Sequence, residues 1–453
     1  MTNYDIIIIG AGPGGYQAAH YAAKKGLSVC IIEQAHVGGT CLNHGCIPTK
    51  TLCRHAEIVD SLKNADFWGL DDMHYEFNFT KIMKHKECVV EQLRDGIGTL
   101  LHQPGITLVE GTAHFADNHT IVVNSNKYTA SNIIIATGSS AKIPPVEGMT
   151  LPGVMTSTEL LSISTIPQRL CIIGAGVIGM EFASIFSSFG SNVTVIEYLK
   201  ECLPQLDADI AKRLRQVVGK KGVEFCMQSS VRAVTETTDH ESKRLLTVNF
   251  EKKGIQQSVD ADVVLVATGR QPNIKSLQLD NTNIHYTEKG ITTDANFQTN
   301  IEGVWAIGDV NAQCMLAHAA TFQGQHVVNC ILNKNSNIRF NIMPAAIFTN
   351  PEAASVGMSE NALKESGRAY ECKKAFYRAN GKAVAMNETE GMLKIFSDRT
   401  TGAIIGCHAF GAHSADMVQE VAALMNVDVT MDQLADMVHI HPTLSEILHS
   451  TTM

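Results

Sequence analysis

"YDIIIIGAGPGG", residues 4–15, decides the fold of this chain. Four consecutive isoleucines predict a short buried strand, and it runs straight into Gly10-x-Gly12-x-x-Gly15. The next stretch, "YQAAHYAAKKG", reads as a helix closed by Gly26, and "LSVCIIE" as a second strand ending at Glu33. Strand, glycine turn, helix, strand and terminal acid form a dinucleotide-binding βαβ unit. The glycines permit a tight turn and bring a pyrophosphate close to a helix N-terminus, while the acid accepts from a ribose hydroxyl.

The plan then repeats. "RLCIIGAGVIGMEFASIFSSFGSNVTVIE" carries Gly174-x-Gly176-x-x-Gly179 and ends at Glu197, with the same spacing from first glycine to acid. Each copy is followed by an apolar strand ending in Ala-Thr-Gly, "NIIIATGSS" at 132–140 and "DVVLVATGRQPN" at 262–273. Agreement at this level predicts two bound dinucleotides. The first copy is the longer, and its extra length holds "GGTCLNHGCIPTK" at 38–50. Cys41 and Cys46 in that stretch are open to four readings: ordinary thiols, half of a metal site, a structural disulfide or a redox pair.

Composition narrows the class. The 453 residues are enough for two to four domains, and 45% hydrophobic with 18% charged residues is ordinary for a globular chain. A net charge of −9 offers no basic field for nucleic acid. No apolar run approaches the roughly 20 residues a membrane span needs, and the N-terminus lacks the pattern of a signal peptide. Twelve cysteines without such a signal imply reduced thiols in the cytoplasm.

"GAGPGG", "GGTCLNHGCIPTK", "ATGS", "GAGVIG", "ATGRQPN" and "GVWAIGDV" occur in the order found in the flavoprotein disulfide reductases, which the chain resembles over nearly its whole length. The resemblance implies an α/β protein with two Rossmann-like domains, binding FAD in the first copy and NAD(P)H in the second, plus a C-terminal α+β dimerisation domain. It implies cofactor contacts at Gly10, Gly12, Gly14, Gly15, Glu33, Gly39, Thr40, Lys50, Thr137 and Gly138, and at Gly174, Gly176, Gly179, Glu197 and Gly269. Asp309 would hold the flavin side, with Leu316, Ala317 and His318 close by. A carboxylate at Glu197 accepts from a ribose 2′-OH and repels a 2′-phosphate, which points to NAD over NADP.

In that family the two cysteines form a redox disulfide, with Cys46 against the flavin and Cys41 facing substrate. Five positions of ideal helix advance about 7.5 Å, beyond the roughly 6.8 Å that bridged α-carbons allow. The pair can bridge only where the backbone leaves the helix, and Gly45 and Pro48 supply reasons to leave it. No second cysteine pair at zinc spacing exists, so no metal is expected. Lys50 falls one turn after Cys46 and, by the resemblance, pairs with Glu181.

The chain's end, "VHIHPTLSEIL", is similar to the His–Glu terminus of the dihydrolipoamide dehydrogenase branch of the family. There the residues matching His441 and Glu446 form a dyad that acts on the partner subunit's disulfide. Pro442 is expected at the first position of a helix, with Glu446 early in it. "PAAIFTNPEAASVG" and "RANGKAVAMNETEG" resemble that branch's interface domain, while His44, Thr49 and "AATFQG" at 319–324 depart from its pattern. The expected division is an FAD domain at 1–144, an NAD domain at 145–264, a return to the flavin at 265–339 and an interface domain at 340–453.

The function expected from the resemblance is NAD-linked oxidation of dihydrolipoyl groups through Cys41–Cys46 and FAD. The lipoyl groups would arrive on a protein of a 2-oxo acid dehydrogenase or glycine cleavage complex, and the enzyme would be a homodimer. The alternative is an NADH-dependent reductase of another small disulfide.

Overall fold

The computed structural model describes residues 2–238 and 244–453. The chain forms two compact units. Met1–Thr51, Thr80–Lys142 and Gly269–Ile338 make the first; Leu52–Phe79, Ile143–Thr268 and Arg339–Met453 make the second.

The first unit is built on a seven-stranded sheet. Its central strand Thr2–Ile9 lies parallel between Val29–Glu33 and Asn126–Ile135, with Ile6–Ile9 opposite Val29–Ile32 on one side and Asn132–Ile135 on the other. Ile6, Ile7, Ile8 and Ile9 are all buried, because layers cover both faces of the sheet. Each such side chain contributes roughly 1.5–3 kcal/mol of burial. Val304–Ala306 adds a parallel strand beside Asn126–Ile135, so residues far along the chain return to this sheet. Helix Pro13–Lys24 turns Gly14, Gly15, Ala18, Ala19 and Ala22 inward, small residues that let it pack closely.

The second unit repeats the design. Strands Val223–Met227, Asn192–Glu197, Arg169–Ile173, Val263–Val266 and Val154–Met155 form one parallel sheet in that order. A three-stranded antiparallel sheet (Ser229–Thr238, Arg244–Lys252, Ile255–Ala261) shares its core, where Val248 and Phe250 pack with Cys171, Ile173 and Val264. The C-terminal part is α+β. Five antiparallel strands run in the order Ala345–Ile347, Ala353–Gly357, Ile404–Phe410, Met392–Asp398, Tyr370–Phe376. Helix Ser414–Asn426 buries Met417, Val418, Val421 and Met425 in a core with Leu393, Ile395 and Cys407. This is the expected α/β class with a C-terminal α+β part.

Among the described residues, no helix is long and apolar enough to cross a membrane. Several cysteines serve as small core residues: Cys30, Cys171 and Cys407 are buried, and burial pushes the Cys30 thiol up to about 12.

Candidate functional site

The two glycine turns are geometric copies. Gly10 has φ +104° and Gly174 φ +106°, and a Cβ on either would strike the carbonyl of the opposite strand end, Ala136 or Ala267. A Cβ on Gly15 or Gly179 would overlap the carbonyl oxygen of Gly10 or Gly174. Each terminal acid closes its turn. Glu33 accepts from Ala11 N at 2.7 Å and Ala35 N at 2.9 Å; Glu197 accepts from Ala175 N at 2.6 Å and Leu199 N at 2.7 Å. The middle glycine stays open: a Cβ on Gly176 meets nothing within 4 Å, and one on Gly12 only just reaches Gly39. An open backbone face at a helix N-terminus, with an acid at the strand end, fits a dinucleotide in each copy.

The cysteine segment lies directly against the first turn. Gly39, at φ +58°, approaches so closely that a Cβ would come 2.7 Å from the Gly12 Cα, and Gly38 N donates to Ala11 O at 2.8 Å. Helix Gly39–His44 carries Thr40 and Cys41, and Gly45 at φ −146°, ψ −110° interrupts it before helix Cys46–Lys63 begins. That break lets the two sulfurs meet. Both are thiols here, and hydrogen bonding to Cys46, then burial, drive the Cys41 thiol well up while Lys50 opposes the shift. Lys50 shares the helix with Cys46 one turn on.

Asn43 holds this segment, though its sequence context did not single it out. Its Nδ2 donates to Val37 O at 3.0 Å and Gly39 O at 2.9 Å, and its Oδ1 accepts from Arg94 Nε at 2.9 Å. An asparagine between two glycines and a cysteine pair was the available signal.

Asp309 lies on a 3-10 turn, Gly308–Asn311, and accepts from the Ser139 hydroxyl. Arg270 donates from Nε to Ser139 Oγ at 2.7 Å and sits 3.7 Å from Asp309. Burial pulls the Arg270 guanidinium below its ordinary value, with Asp309 and then Cys46 opposing. Ser139 and Arg270 occur inside the quoted motifs, yet only tertiary packing joins them to Asp309. Thr137 donates to Asn273 O at 2.7 Å, and Gly138 and Gly269 both have positive φ with open space where a Cβ would sit.

Leu316 is the N-cap of helix Ala317–Ile331, which puts Ala317 and His318 in its first turn. This helix packs on Pro13–Lys24: a Cβ on Gly14 would press on Ala320. In the "AATFQG" departure, buried Gln323 accepts from Gly308 N at 2.7 Å and Asn311 Nδ2 at 3.2 Å. An amide oxygen thus provides the acceptor that the turn around Asp309 requires.

Glu181 belongs to the second unit, 3% exposed, and accepts from Phe348 N at 2.9 Å. Its expected partner Lys50 belongs to the first. At the C-terminus, His441 Nδ1 lies 2.9 Å from Glu446 Oε1, with the imidazole side chain 79% exposed. The helix expected from Pro442 is corrected: only Glu446–His449 is helical, and the His441–Pro442 bond is cis. Thr443 N donates to Glu446 Oε2 at 2.8 Å and Thr443 Oγ1 to Ile440 O at 2.7 Å, so side-chain partners replace the first helical turn.

Comparison with known proteins agrees with this geometry. Residues 4–324 match the model of the pyridine nucleotide-disulphide oxidoreductase family, and residues 343–452 that of its dimerisation domain. The chain is 36% identical over 450 residues to a dihydrolipoyl dehydrogenase of Chlamydia trachomatis serovar D, covering 98% of this chain and 95% of that protein. A Bacillus subtilis protein of the same name is 36% identical over 455 residues, covering 98% and 94%. Among solved structures, the HOCl-induced flavoprotein disulfide reductase RclA from Escherichia coli superposes with a TM-score of 0.87 at 31% identity, covering 99% of both chains.

Proposed function

The chain belongs to the pyridine nucleotide-disulphide oxidoreductase family, and from that premise we propose that it is a dihydrolipoyl dehydrogenase, oxidising protein-bound dihydrolipoyl groups with NAD⁺. The observation that carries this reading is the Cys41–Cys46 pair, set at a helix break against the first glycine turn, in a chain that also holds a His441–Glu446 dyad.

FAD, when bound, supplies the two-electron relay between the cysteine pair and NAD⁺. The chain's own residues do the rest. Starting from the Cys41–Cys46 disulfide, a substrate thiolate attacks Cys41 and forms a mixed disulfide, releasing the Cys46 sulfur. The second substrate thiol then displaces Cys41, so the substrate leaves as a cyclic disulfide and both electrons remain on the cysteine pair. Each attack needs a thiolate. Nδ1 of His441 donates to Glu446, which leaves the Nε2 lone pair to take the thiol proton. Lys50 favours negative charge on the reduced pair. Glu33 and Glu197 keep the glycine turns in shape for the dinucleotides, and Asp309, backed by Ser139 and Arg270, holds the flavin side.

The assignment of residues 1–144 and 265–339 to FAD, 145–264 to NAD and 340–453 to the interface belongs to this reading. So do a homodimer in which His441 serves the partner subunit's disulfide, a lipoyl-bearing partner from a 2-oxo acid dehydrogenase or glycine cleavage complex, and a cytoplasmic setting. The likeness to RclA supports the second reading, an NADH-dependent reductase of another small disulfide.

The test is steady-state oxidation of dihydrolipoamide with NAD⁺ or NADP⁺, with Cys46→Ser and His441→Gln variants alongside. NAD⁺-selective turnover, abolished in the serine variant and reduced about 10²- to 10⁴-fold in the glutamine one, is the expected result. A flavin that NADH reduces without dihydrolipoamide turnover would discard the substrate and favour the second reading.

A further inference from the structure

We propose that Glu420 and His439 are positioning residues that clamp the loop carrying the His441–Glu446 dyad; the inference rests on reading that dyad as the proton-transferring pair. The loop needs a clamp. Within its own chain His441 is exposed, and Val438 and Ile440 beside it are 99% and 78% exposed, so the chain's own packing around these side chains does not hold the segment before a partner subunit docks on it. Between them His439 turns inward, its side chain 8% exposed.

Both nitrogens of His439 face acceptors. Nδ1 lies 3.0 Å from the carbonyl of Met437, and a carbonyl only accepts, so Nδ1 donates. Nε2 lies 3.4 Å from Glu420 Oε1. With Nδ1 committed to that carbonyl, Nε2 is the ring nitrogen that faces the carboxylate. The other carboxylate oxygen, Glu420 Oε2, accepts from Ser445 Oγ at 3.0 Å, and Ser445 immediately precedes Glu446.

A single carboxylate on helix Ser414–Asn426 thus ties down the loop two residues before the base and one residue before its acid. Asn380 adds a neutral tie, from Nδ2 to Thr443 O at 3.0 Å. The titratable groups facing His439 are Glu420 from that helix, His449 with its ring 6.1 Å away, and Glu446. Two acid–imidazole pairs therefore sit in series. The outer pair moves the proton and the inner pair sets its geometry.

The two possible effects of the clamp differ in sign. A protonated His439 acting only through its field would lower the proton affinity of His441, so removing it would raise that affinity. A clamp acts oppositely: once it is lost, Glu446 spends less time on His441 Nδ1, stabilises the imidazolium less, and proton affinity falls.

The experiment uses the full-length holoenzyme and its Glu420→Gln, His439→Gln and Ser445→Ala variants. It measures kcat and KM for dihydrolipoamide against pH, and separately the titration of the His441 ring by NMR of histidine-labelled protein. His439→Gln and Glu420→Gln are expected to lose about 5- to 20-fold in kcat with KM within about twofold, as a misplaced catalytic group does. The acid limb of kcat and the His441 titration should both move to lower pH. Ser445→Ala should do the same to a smaller extent, and it carries the test if Glu420→Gln does not fold.

A His439→Gln enzyme with wild-type kcat, or with the His441 titration unmoved or raised, overturns the clamp. Failure of the underlying reading looks different: His441→Gln would turn over like wild type, or wild type would not oxidise dihydrolipoamide. The NMR titration decides the clamp in that case too.

Discussion

Lys394 Nζ lies 2.7 Å from Asp207 Oδ1, with both side chains closed off from solvent. The same ammonium reaches Glu360 Oε2 at 2.7 Å and Asp209 Oδ2 at 3.2 Å. Asp207 is also the N-cap of helix Ala208–Lys220, accepting from Asp209 N at 3.1 Å. One buried lysine therefore joins the C-terminal sheet to the start of a helix in the second dinucleotide fold. The three acids bring their oxygens within 4.8 Å of one another around this ammonium, and Lys374 at 3.2 Å from Asp209 and Lys364 at 3.0 Å from Glu360 supply the other positive charges.

Removing the Lys394 cation leaves Asp207 buried without its ion pair, while Asp209 and Glu360 keep Lys374 and Lys364, and a buried unpaired carboxylate is far costlier than a lost exposed pair. Lys394→Met should lose about 3–5 kcal/mol of stability, read from the midpoint of urea unfolding. A loss under about 1 kcal/mol would mean the network is solvated in solution.

Acid should unfold the second unit in two stages. His408 is buried, its Nδ1 accepts from Asp207 N at 3.1 Å, and burial pulls its folded value down to about 4. The unfolded chain binds this proton first, from about pH 6.5, so stability falls between about pH 6.5 and 4. Glu360 is held at about 2, chiefly by hydrogen bonding to Lys394; its contribution is present above the ordinary 4.5 and is lost as pH falls toward about 2. Thermal melts of wild type and His408→Gln across pH 3–7 check this: the variant should lack the upper stage.

Gly179→Ala should separate the two nucleotide sites. Its Cβ would overlap the Gly174 carbonyl oxygen, and that backbone cannot yield without opening the second turn. Flavin absorbance should stay at the wild-type level while KM for NAD⁺ rises more than about tenfold. Equal loss of flavin would show that the substitution disturbs more than its own turn.

Glu197→Gln keeps the side-chain shape and gives up one acceptor. Glu197 uses one oxygen on Ala175 N and the other on Leu199 N, and an amide nitrogen cannot replace the second. The kcat/KM for NAD⁺ should fall by about tenfold and the preference over NADP⁺ should narrow. Unchanged selectivity would place cofactor discrimination elsewhere, with Lys200 the nearest cation in sequence.

Much of this is legible in the sequence alone. A period-independent apolar run, three glycines at fixed spacing and an acid at a strand end constrain the backbone locally, so both βαβ units and their order followed from residues 4–33 and 169–197. Gly45 and Pro48 likewise announced the helix break that lets Cys41 and Cys46 meet, since each acts on the backbone within one turn. Tertiary structure decided what depends on partners distant in sequence. Ser139 and Arg270 reach Asp309 only because separate segments converge on one sheet end, and Lys394 finds Asp207 across the second unit. The turn at Pro442 went against the expected helix because the Glu446 carboxylate accepts from the Thr443 N–H and the Thr443 hydroxyl donates to the Ile440 carbonyl, in place of backbone–backbone bonds. Local sequence sets torsions and spacing; which side chains share a charge or a hydrogen bond is set by packing between segments that no short-range pattern encodes.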